Sequence, residues 1–160
     1  MSTERRQARE RALGLLYEAE TKSQSPAALL AEQVLEPDPF TSDVVTGVES
    51  EGEEIDALIT RFATNWPLSR MPALDRTLLR MGVYELTHRP DVPTGVVLSE
   101  IVDLASEYST DDSGPFVNGV LAAIAAEVRT DGDPEARPAA GARADRGGAG
   151  APHARLSADF

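Results

Sequence analysis

An all-α fold follows from three features of the 160-residue sequence. Apolar residues recur at helical spacing almost throughout residues 4–128. No two segments alternate with the period of two that a half-buried strand needs. Proline, serine, threonine and aspartate stand where one helical pattern stops and the next begins. Helices with one apolar stripe bury it against one another, so about six or seven helices are expected, packed as a compact bundle or as two small bundles.

The first pattern spans residues 4–21. Ala8, Ala12, Leu15, Leu16 and Ala19 share one side, with Leu13 and Tyr17 beside them and Arg5 and Arg9 one turn apart on a neighbouring face. Ser25-Pro26 opens a short helix through Leu29, Leu30 and Val34, which Pro37 and Pro39 end. Phe40 ahead of Thr41-Ser42 has the form of a hydrophobic staple and cap. The next pattern runs through Val44, Val45 and Val48 and continues at Ile55, Leu58, Ile59 and Phe62, with a break expected at Ser50–Gly52. Trp66-Pro67 punctuates the chain, and Met71-Pro72 starts a strong helix. Leu74, Leu78, Met81 and Leu86 mark its buried side, Asp75, Arg76, Arg80 and Glu85 line its other faces, and His88-Arg89 suits its C-terminus. After the turn Asp91-Val92-Pro93, a helix buries Val97, Ile101, Leu104 and Tyr108. Asp111, Asp112 and Ser113 each can cap the last helix, Pro115 suits its first turn, and Val117, Val120, Leu121, Ile124 and Val128 face inward.

Residues 1–130 therefore form the helical domain. Residues 131–160 are dominated by Ala, Gly, Pro and Arg and are expected to be a disordered tail. The hydrophobic fraction is 41%, but aromatics are only 5%, so the core must be mostly aliphatic. Without cysteine there is no disulfide, thiolate zinc site or cysteine nucleophile. No apolar run approaches the ~20 residues of a membrane span, and the arginine-bearing N-terminus lacks the apolar stretch of a signal peptide. A cytoplasmic location is expected.

Nothing in the sequence assembles into a catalytic centre or a cofactor site. The two histidines are His88, at a helix end, and His153, in the tail. There is no phosphate-binding glycine loop. Glu51, Glu53, Glu54 and Asp56 read as a solvated helix face, and Asp111-Asp112 as capping residues, each in preference to a metal site.

Binding is the better-supported class. The net charge is −12, which opposes nonspecific attraction to nucleic acid, yet Arg5, Arg6, Arg9 and Arg11 make one end positive. Arg76 and Arg80 form either a basic ridge or partners for nearby carboxylates. Phe116 is either core or a ring that stacks an unpaired base, and Asn118 bonds either a base edge or neighbouring backbone.

Three blocks resemble the NusB family of bacterial transcription antitermination factors. They are RQARERALGLLYEAE over residues 6–20, PALDRTLLRMGVYELTHRPDVPTGVVLSEIVDLASEYS over residues 72–109, and DDSGPFVNGVL over residues 111–121. The third is similar to that family's DS-x-x-FVNGVL signature. The resemblance implies two packed helical subdomains and a noncatalytic role. That role is binding the boxA element of ribosomal RNA leader transcripts with a small-subunit ribosomal protein, called NusE in this role. Other Nus factors and RNA polymerase would complete the assembly.

By position, the resemblance assigns Arg5, Arg6, Arg9, Arg80, Asp112, Phe116 and Asn118 to the RNA side. It assigns Tyr17, Asp75 and Glu85 to the protein side. It leaves monomer and homodimer both open. Where the family often has a basic residue before the phenylalanine, Gly114-Pro115 stands here. Two alternatives remain. One is the helical domain of a ribosomal RNA methyltransferase, which needs an α/β cofactor domain after the helices. The other is a protein scaffold without RNA.

Overall fold

The structure is a computed structural model and describes residues 2–129; the expected tail over 131–160 lies outside the described residues. Seven α-helices and no strand occur among the described residues: α1 (Ser2–Thr21), α2 (Pro26–Ala31), α3 (Pro39–Ser50), α4 (Gly52–Phe62), α5 (Ala73–His88), α6 (Thr94–Tyr108) and α7 (Ser113–Val128). A 3-10 turn, Leu68–Arg70, leads into α5. Helices α1, α2 and α3 pack on one another, and α4, α6 and α7 gather round α5, which also touches α1 and α3. The two helical subdomains thus share α5 as a common wall. That position explains why α5 is buried along most of its length, Asp75 and Glu85 included.

The boundaries follow local chemistry. Ser25 caps α2 by accepting from the Ala28 N–H, with Pro26 in the first turn. Asp38 caps α3 by accepting from the Phe40 N–H at 2.7 Å. Helices α3 and α4 break at Glu51, within the expected interruption. Pro72 and Pro93 precede α5 and α6, where a missing N–H costs no helical bond.

Four local expectations are corrected. Helix α2 ends at Ala31, because the Glu32 N–H closes it on the Leu29 and Leu30 carbonyls; Val34 lies beyond, 97% exposed. Phe40 stands inside α3 rather than ahead of it, and Thr41 caps nothing: its hydroxyl donates to the Ala8 carbonyl across the α1–α3 contact. Tyr108 ends α6 facing α1, 46% exposed, with its hydroxyl donating to Glu10 at 3.3 Å. Leu74 and Val128 are half-buried at the core's edge rather than sealed in it.

One close approach sets the α3–α5 distance. Tyr84 of α5 lies across Gly47 of α3, so that a methyl on Gly47 would overlap the phenol ring. The hydroxyl donates to Asp43 at 2.8 Å. Burial, and then that hydrogen bond, pushes the phenol from its ordinary 10 up to about 12. Gly47→Ala should therefore destabilise the protein by about 1–3 kcal/mol, the usual range for overpacking. Urea unfolding monitored by circular dichroism measures it; an unchanged midpoint would show that the two helices can move apart freely.

Candidate nucleic-acid interface

The arginines of α1 have unequal fates. Arg9 is 1% exposed and forms a two-pronged pair with Glu85, which is 0% exposed; Nε donates to one carboxylate oxygen at 2.8 Å and Nη2 to the other at 2.7 Å. Arg6 lies 3.7–3.8 Å from Glu100, Asp103 and Glu107 of α6. Arg11 donates to Gln33 and to the Leu35 carbonyl. Arg5 has no carboxylate within ion-pair distance among the described residues. Its guanidinium lies 4.3 Å from the centroid of the buried Phe40 ring.

Phe40 is a platform for three cations. The Arg9 and Arg89 guanidiniums also stand over its ring, at 5.0 and 4.9 Å. Arg89 is in turn held by Asp43 and Asp91, both at 3.0 Å. The Arg89 hydrogen bond keeps the Asp91 carboxyl below its ordinary range. The ring attracts each guanidinium through its quadrupole, and the carboxylates beneath neutralise Arg9 and Arg89. Arg5 is left as the least compensated charge of the three.

Three residues expected at a surface stand inside the fold instead. Arg9 and Glu85 are sealed together, so neither presents its charge to a ligand. Asp75 is 1% exposed and accepts hydrogen bonds from Ser109 at 2.5 Å and Ser113 at 2.8 and 2.9 Å. It thereby ties the α6–α7 turn to α5. Arg80 forms no basic ridge: it is half-buried, bonded to both oxygens of Asp56 and 3.7 Å from Glu20. Arg76 is likewise paired with Glu20 and donates to the Leu68 and Met71 carbonyls. Carboxylates from neighbouring helices explain all four cases.

At the start of α7, Asp112 occupies the capping position but makes no side-chain cap bond. Ser113 is engaged instead, between Asp75 and the Thr110 N–H. Phe116 is half-buried against Trp66, edge to face, with centroids 4.9 Å apart. Asn118 and Gly119 are exposed, and no side chain of the fold needs the space at Gly119. Tyr17 is 41% exposed on α1. The last turn of α6 links the two ends, since Glu107 faces Arg6, Tyr108 faces Glu10, and Ser109 meets the α7 start. The N-terminal half of α1 and the first turn of α7 thus border one continuous face, from which Arg80 is absent.

The NusB family model matches residues 6–126. This chain belongs to the NusB family. Among its relatives, the transcription antitermination protein NusB of Clavibacter michiganensis is 47% identical over 131 residues, spanning 76% of this chain and 96% of that one. NusB of Kineococcus radiotolerans is 45% identical over 125 residues, spanning 76% and 92%. Of solved structures, T. maritima NusB superposes with a TM-score of 0.72 at 32% identity over 77% of this chain and 91% of that one. A chain from the crystal structure of antitermination factors NusB and NusE in complex with double-stranded RNA superposes with a TM-score of 0.68 at 30% identity, over 78% and 98%. These NusB relatives are antitermination factors, and the chain is, like them, noncatalytic.

The sequence had flagged neither Phe40 as a cation platform nor Trp66 as the partner of Phe116. The available signal was weak: an aromatic one residue after a helix-opening proline, and a lone tryptophan before another.

Removing one member of a buried pair strands the other's charge. Glu85→Ala should lower unfolding free energy by about 3–5 kcal/mol. Arg9→Met combined with Glu85→Leu should recover most of that loss. Chemical denaturation of the single and double variants reads both; a single-variant loss below about 1 kcal/mol would mean the pair is not sealed from water.

Proposed function

We propose that this chain is a transcription antitermination factor that binds boxA RNA of ribosomal RNA leader transcripts together with the small-subunit ribosomal protein in its NusE role. Other Nus factors and RNA polymerase complete the assembly. The observation that carries this is the superposition, over 98% of its length, on a chain from a NusB–NusE–RNA complex. Arg5 and Arg6 supply phosphate contacts from α1. Asp112, Phe116 and Asn118 form the second edge of the RNA face, at the start of α7, and the open backbone at Gly119 leaves room for close approach. Tyr17 faces the ribosomal protein. Arg9, Asp75, Glu85 and Arg80 act from inside, by holding α1, α5 and the α6–α7 turn in place.

The electrostatics add a consequence. A chain of net charge −12 whose N-terminal arginines are mostly paired has little long-range attraction for RNA. A basic ribosomal protein complements its acidic body and supplies the missing positive field. The heterodimer therefore binds boxA far better than the chain alone.

Titration of labelled boxA RNA across a salt series tests this. The heterodimer should bind more tightly than the chain, and Arg5→Ala or Arg6→Ala should each reduce the slope of log K against log salt by about 1. Absence of salt-dependent binding with and without the partner would overturn the proposal.

A further inference from the structure

A cavity of about 570 Å³ opens between the N-terminal half of α1, the loop before α3 and the first turns of α6. Val92, Pro93 and Val96 give it an apolar wall. Arg5 borders it with its guanidinium backed by the Phe40 ring at 4.3 Å. Asp38 and Glu100 add acceptors. One Asp38 oxygen caps the Phe40 N–H, and the other has no hydrogen-bond partner among the described residues. Glu100 is the more pointed case. Its Oε1 is shut off from water and accepts no hydrogen bond, with only Arg6 and Arg9 at 3.7 and 3.8 Å.

Buried carboxylate oxygens without donors are rare, and they mark where a ligand or water donor belongs. The cavity thus combines a flat cation, an apolar wall and a surplus of acceptors. Resting on the proposed RNA-binding function, we propose that it takes one unstacked guanine of the bound RNA. The base lies on the guanidinium of Arg5, and its Watson–Crick edge turns toward Glu100 and Asp38. Bases splayed from single strands stack on arginine planes and are read along that edge. Guanine is the base that offers two adjacent donors there, the ring N1–H and the 2-amino group, which suits a carboxylate. Uracil would set two carbonyl oxygens against the acidic rim. A phosphate meets the same repulsion, and a lysine or arginine from a partner would press against Arg5.

The test uses the full chain with its ribosomal partner and a labelled boxA RNA in which each guanine in turn is replaced by inosine, which lacks the 2-amino group. At one position the guanine RNA should bind about tenfold more tightly than its inosine twin, as expected for a hydrogen bond to a charged group. In Glu100→Gln that ratio should fall toward one. Val96→Trp, which fills the cavity without altering charge, should do the same, and thermal melting confirms that each variant is folded. Equal binding of every guanine and inosine pair by the unaltered protein overturns the cavity assignment and leaves the RNA-binding proposal standing. No binding of any RNA overturns both. Weaker capture of the ribosomal protein by Glu100→Gln in the absence of RNA, with the guanine preference intact, overturns the assignment in favour of a basic side chain.

Discussion

The pair between Arg9 and Glu85 joins residues 76 positions apart in sequence and fixes how α1 lies on α5. Two charges removed from water hold each other only in good geometry. The two-pronged bond at 2.7 and 2.8 Å supplies it, with the Phe40 ring covering the guanidinium. A rotation of α1 by one residue, about 100°, would take Arg9 out of this contact. The same rotation would carry Arg5 off Phe40 and Arg6 away from α6. The buried pair thus sets the register of every arginine beside it.

From that register follows a sparing distribution of positive charge. α1 looks basic in the sequence, but Arg6 and Arg9 face carboxylates on α5 and α6, and Arg11 is tied to the loop after α2. Arg5 stands on an aromatic ring, which holds a cation in place without neutralising it. At the other end of the face, the Asp75–Ser113 bonds hold the α7 start, so Phe116 and Asn118 sit on a rigid turn. An interface of this kind favours placement over field strength. It suits a protein whose affinity is completed by a partner.

Helical content, most helix starts and the aliphatic core were legible in the sequence, because each depends on spacing within one helix. Ser25-Pro26, the break near Glu51 and the inward line Val117, Val120, Leu121 and Ile124 are examples. The fates of the charged residues were not legible. A helical wheel places Asp75, Arg80 and Glu85 outside the apolar stripe, and that would make them surface residues on a helix packed from one side. Helix α5 is packed from both subdomains, so its polar positions are buried too and find partners on α1, α4 and the α6–α7 turn. Tyr108 failed in the opposite direction: its spacing fits the stripe, but α6 ends there and no core remains to receive it. The NusB resemblance placed the RNA and protein faces by position, yet position does not reveal whether an arginine is sealed.

The central claim is that Arg9 serves RNA binding by positioning α1 and not by touching phosphate. The most direct measurement is the salt dependence of boxA binding by the Arg9→Met, Glu85→Leu double variant, in complex with the ribosomal protein. The slope of log K against log salt should match that of the unaltered protein, because no released counterion was due to Arg9. A slope smaller by about 1 would show that Arg9 reaches the RNA and would contradict the account.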